Sequence, residues 1–92
     1  MNRKRAKELG LRVERSTRKG KKWDAYDAET GEFQASFGAA GYKDYAMFLR
    51  EDGKAEADKR REAYRKRHAK NLAVRKRDGK FTPGFLSSEL LW

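Results

Sequence analysis

The stretch Phe33 to Leu49, FQASFGAAGYKDYAMFL, is the densest apolar and aromatic run in the chain, and a core has to be organised on it. The surroundings are mostly charge: 41% of the 92 residues are Asp, Glu, Lys or Arg, against 37% hydrophobic. A domain of this length buries only about 60–65% of the surface that its unfolded chain exposes. Its charge content lies near the border beyond which a chain orders only on a partner. Aromatic residues tip the balance toward folding. Each removes about 150–250 Å² from water, and Trp23, Tyr26, Phe33, Phe37, Tyr42, Tyr45 and Phe48 are bunched tightly enough to meet.

The patterning around this run predicts an α+β fold in which a small three-stranded antiparallel meander is covered by a short helix. Leu9, Leu11 and Val13 alternate with Gly10, Arg12 and Glu14, the period of two of a half-buried strand. Thr17 to Gly20 then turn the chain into a second strand, Lys21 to Ala28, with Trp23 and Ala25 facing inward. Asp27 to Glu32 has the form of a short hairpin loop closed by Gly31. The third strand, Phe33 to Phe37, sets Phe33, Ala35 and Phe37 on one face. Gly38 to Gly41 bend the chain back. Asp44 caps a helix in which Tyr45, Phe48 and Leu49 share a face suited to that surface, and Asp52 and Gly53 end it.

A basic helix is expected from Lys54 to about Arg77, supported by the four-apart pairs Glu56–Arg60 and Glu62–Lys66. Its apolar stripe of Ala57, Tyr64, His68 and Leu72 is thin, so it cannot be deeply buried. Arg75 to Lys80, RKRDGK, reads as a charged turn. Thr82 as cap and Pro83 at the first helical position open a short apolar helix. The chain thus divides into a basic arm (1–8), the meander with its covering helix (9–53), the basic helix and turn (54–79) and an apolar C-terminal anchor (80–92). Phe85, Leu86, Leu90, Leu91 and Trp92 of that last segment either fold back onto the core or insert into a neighbouring subunit.

A net charge of +10 draws the protein to polyanions or acidic protein surfaces. With no cysteine, thiolate catalysis, disulfides and cysteine metal sites are excluded. His68, the sole histidine, has cationic neighbours and no nucleophile beside it in sequence. The carboxylates sit in turns or near helix starts, where capping explains them. No cofactor, metal or small-molecule substrate is expected, and no enzyme; a magnesium-dependent nuclease would be the version to test. No apolar run approaches the roughly 18 residues of a membrane span, and the N-terminal charges precede no apolar segment of the secretory kind.

Candidate contacts to an acidic partner or to DNA or RNA phosphates are Arg60, Arg61, Arg65, Lys66, Arg67, Lys70, Arg75, Lys76 and Arg77, with Trp23 or Tyr26 stacking on exposed bases. Phe85, Leu86, Leu90, Leu91 and Trp92 are the candidate anchor into a protein partner.

Three blocks carry a resemblance: STRKGKKWDAY with SFGAAGYKDY (Ser16 to Tyr26, Ser36 to Tyr45), RREAYRKRHAKN (Arg60 to Asn71) and TPGFLSSELLW (Thr82 to Trp92). Together they resemble a family of short basic proteins of large double-stranded DNA viruses, including those of algae. The matching positions are Phe37, Gly38, Gly41, Tyr42, Asp44 and Tyr45; Tyr64, Arg67 and His68; and Leu90, Leu91 and Trp92. The resemblance implies a virus-encoded, virion-associated protein without enzymatic activity and leaves capsid, genome or host open as its target; the apolar C-terminal segment suggests a structural role, as a minor capsid or capsid-linking component partnered by capsid proteins. Its place would be the virion, and the host cytoplasm or nucleus before assembly. The alternative, from charge alone, is a sequence-nonspecific nucleic-acid-binding protein of a viral genome or a ribonucleoprotein.

Overall fold

Three strands, β1 (Leu11–Arg15), β2 (Lys21–Asp27) and β3 (Phe33–Ala39), pair antiparallel in chain order in the computed structural model, which describes residues 1–72 and 74–92. The register sets Val13 opposite Ala25 and Ala25 opposite Ala35, with Trp23 opposite Phe37. One sheet face therefore carries the small and aromatic residues of the core. The β2–β3 turn is closed as its residues require. Asp27 Oδ1 accepts hydrogen bonds from the amides of Glu29 (2.8 Å) and Thr30 (3.0 Å), and Gly31 takes φ 77°, which costs a residue without a Cβ little. A bulge between Ala25 and Tyr26 leaves Gln34 without a register partner. Its side-chain carbonyl instead accepts the Phe81 amide at 3.3 Å.

The sheet is covered by the last helix, α5 (Pro83–Leu91), and not by the helix that follows the meander. Helix α2 (Tyr45–Asp52) is capped by Asp44 through Met47 N–H, as expected, but buries none of its residues, and Leu49 is exposed. Helix α5 is capped by Thr82, which accepts the Phe85 amide, and it buries Phe85, Leu86, Leu90 and Leu91. These four large side chains offer a wider apolar face than Phe48 and Leu49 can. Close approach to β3 is possible because residue 38 is glycine: a Cβ there would lie 2.8 Å from Leu91 Cδ1. The Gly38 amide also donates to Ser87 Oγ at 3.3 Å.

The N-terminal segment is no free arm. Residues Arg3–Glu8 form helix α1, capped by Asn2; the Asn2 amide donates to the Leu90 carbonyl at 2.8 Å, and Arg5 reaches Glu89 at 3.1 Å. Leu9, expected in the first strand, is instead the C-cap of α1. Ala6, Leu11, Ala25, Ala35, Phe37, Phe81, Phe85, Leu86, Leu90 and Leu91 form one buried cluster, so the segments marked out by composition share a core.

Helix α3 spans Lys54–Arg67 and is followed by the short α4 (Ala69–Leu72), so the continuous helix expected to reach about Arg77 stops ten residues short. The reason is a second hairpin, β4 (Lys76–Arg77) with β5 (Lys80–Phe81). Asp78 and Gly79 both take positive φ, 54° and 77°, as a two-residue hairpin turn of this hand requires. The expected place of Leu72 on the apolar stripe lies outside the described side chains. No helix among the described residues is long and apolar enough to cross a membrane.

Candidate nucleic-acid interface

Helix α3 packs on α2 through polar and ring contacts, leaving most of its length in solvent. Tyr45 Oη donates to Asp58 at 2.7 Å, and the Arg61 guanidinium lies 4.0 Å from the Tyr45 ring centroid. Only Ala57 of α3 is buried. The expected contact residues then fall into two sets. Arg60, Arg61 and Lys66 are paired with Glu56 (2.9 Å), Asp58 (3.2 Å) and Glu62 (3.4 Å) on their own helix. Arg65, Arg67, Lys70, Arg75, Lys76 and Arg77 have no carboxylate within salt-bridge distance among the described residues, and all six are exposed. The second hairpin is what turns part of this set into a surface. The Lys76 ammonium lies 4.6 Å from the Phe81 ring centroid and the Arg75 guanidinium 5.3 Å from that of Phe85, so both charges are held over the stacked phenylalanine pair on an exposed surface.

Beside this face runs a groove of about 610 Å³, between the start of β2, the end of β3, the approach to α2, the second half of α3 and α5. Tyr42, Phe48, Tyr64 and Trp92 supply rings; Lys21, Lys22, Lys43, Arg60 and Arg67 supply charge. Tyr64 and Trp92 lie parallel, centroids 4.5 Å apart at 9°, with Phe48 6.0 Å from Trp92 and His68 4.5 Å from Tyr64. Burial pushes the Tyr64 phenol above its ordinary value, so it stays neutral. Asp44 is the lining carboxylate. It is buried, engaged in capping α2 and 3.4 Å from Lys22 Nζ, which also donates to the Tyr42 carbonyl. Tyr42 itself is 73% exposed.

Trp23 and Tyr26, the expected stacking residues, lie outside this groove and on opposite sheet faces. Trp23 is half-buried against the core, with Arg3 and Arg15 at 5.7 and 5.2 Å from its ring. Tyr26 carries Arg12 at 4.6 Å and the edge of Phe33 at 5.7 Å. Their rings are engaged by the chain's own side chains. Of the expected protein anchor, Phe85, Leu86, Leu90 and Leu91 are core residues of this chain, and only Trp92 reaches a surface, as a wall of the groove. The missed residues are Tyr42 and Tyr64. Their signal was the cations beside them, Lys43 after Tyr42 and Arg67 with His68 one turn beyond Tyr64, a basic–aromatic interleaving spread over distant segments.

No family model, curated protein or solved structure matches the chain. The function is therefore read from the site.

Proposed function

We propose that this chain is a non-enzymatic, sequence-nonspecific nucleic-acid-binding protein that holds the phosphate backbone on the face formed by α3, α4 and the β4–β5 hairpin. The observation that carries the reading is the run of exposed cations with no carboxylate partner among the described residues, Arg65, Arg67, Lys70, Arg75, Lys76 and Arg77. Free, solvated cations on a folded surface gain from a polyanion by releasing its condensed counterions, with no need to read base edges. Paired cations such as Arg60 and Lys66 contribute less, because each must first leave a carboxylate. The expected capsid-linking role depended on the C-terminal segment as an anchor. With four of its apolar residues spent on the chain's own core, charge is the better guide. A place in a virion is compatible with this role.

The test is fluorescence anisotropy with a 30-mer duplex across ~50 to ~300 mM salt. Micromolar or tighter binding that weakens linearly in log–log form, by about 0.9 per phosphate contacted, supports the reading. Affinity that ignores salt refutes it.

A further inference from the structure

Resting on that reading, we infer that the groove beside the basic face seats an unpaired base, stacked on Tyr42 with its phosphates on Lys21 and Arg67, so that the protein prefers single-stranded to duplex nucleic acid. Tyr42 is the most exposed large apolar side chain described, and among the described residues no other ring or cation lies over it. An aromatic ring presented to water in a charged groove costs solvation and gains nothing inside the chain. Stacked on a base it would be covered on one face. The flanking charges suit the same occupant. Lys21 and Arg67 stand on different elements lining the groove, and neither has a carboxylate within salt-bridge distance among the described residues. Asp44, which would repel phosphate, is buried and held by Lys22.

A duplex cannot use this arrangement, because its base faces are already stacked on one another and only backbone and groove edges are offered. A single strand presents both a base face and a flexible backbone. The groove volume of about 610 Å³ lies within the range of small-ligand sites, about 300–1,000 Å³. Trp92, held parallel to Tyr64, supplies a fixed wall and an optical reporter.

The experiment compares an oligothymidylate of ~15 nucleotides with a duplex of the same length, using the full chain, Tyr42→Ala and Tyr42→Phe. Circular dichroism checks that each variant is folded. The wild type should bind the single strand more tightly than the duplex and its tryptophan emission should change. The ratio of single-strand to duplex affinity should fall at least about fivefold in Tyr42→Ala and be restored in Tyr42→Phe, since a phenyl ring stacks as a phenol does. An unchanged ratio in Tyr42→Ala, or a wild-type preference for duplex, overturns the groove inference and leaves the basic face standing. Binding to neither strand form overturns both.

Discussion

Helix α5 buries Phe85, Leu86, Leu90 and Leu91, whereas α2 buries nothing and α3 only Ala57. The two regions are held by different forces. The sheet, α1 and α5 share a single apolar cluster, sealed by backbone contacts such as Asn2 to Leu90. The α2–α3 pair is joined by Tyr45 to Asp58, Arg61 over Tyr45 and Arg60 over Phe48, all contacts at the water interface. Hydrophobic burial carries most of the folding energy, and exposed charge pairs carry little. The first region is thus where the fold is decided. The second is free to present charge.

Truncation should expose the difference most strongly. Leu86 is fully buried, so Leu86→Ala should cost about 2–5 kcal/mol. Leu49→Ala, on the exposed side of α2, should stay within about 0.5 kcal/mol. Urea denaturation of both variants measures the contrast, and similar losses would mean that α2 shares the core after all. A narrower probe is the contact between α5 and β3. In Gly38→Ala the new methyl would meet Leu91 Cδ1 at 2.8 Å on a backbone with φ 79°, and a loss of about 1–3 kcal/mol is expected from crowding and strain. A neutral result would place α5 further from the sheet.

Much of the core half was legible in the sequence. The alternation of Leu11 and Val13, the Asp27–Gly31 loop and the caps Asp44 and Thr82 are local signals, decided within a few residues of chain. Which helix covers the sheet is not local. It depends on α5, which joins the sheet from the far end of the chain, and periodicity in α2 could not reveal a competitor with larger side chains. The β4–β5 hairpin was readable in principle from Asp78–Gly79, but the cations around it also suit a helix, and its strands are only two residues each. The binding face was legible as charge. Its division into paired and free cations was legible in part: the four-apart pairs Glu56–Arg60 and Glu62–Lys66 were read from spacing, whereas Arg61–Asp58 was not. The groove was least legible, since Tyr42, Tyr64 and Trp92 meet only after α5 folds back.

Acid should act on the core half too. Burial tends to raise the Asp24 carboxyl, but hydrogen bonds from Ser36, at 2.5 Å, and Ser16, with the charge of Arg18, outweigh it and hold the group below its ordinary 3.8. A value lower folded than unfolded gives stability that is full above about pH 4 and is lost as pH falls through the folded value. Asp27 and Asp58 are shifted the same way by their own hydrogen bonds, so Asp24→Asn should make the acid loss shallower without abolishing it. Circular dichroism along an acid titration checks this; an unaltered acid limb would count Asp24 out. The smallest effect belongs to the charged half. Breaking the exposed Lys66–Glu62 pair with Glu62→Gln should change stability by no more than about 0.5 kcal/mol, measurable by denaturant melting. A loss beyond about 1 kcal/mol would show that α3 depends on its charge pairs.

The most direct test of the division is one variant, Arg65→Glu with Lys70→Glu, Lys76→Glu and Arg77→Glu, examined for thermal stability and for duplex affinity against salt. All four side chains are exposed and outside the apolar cluster. The expected result is a melting temperature within about 4 °C of wild type, together with a salt slope smaller by about 3 to 4 and affinity reduced more than tenfold. Wild-type affinity in a folded variant would contradict the account, and so would a variant that no longer folds.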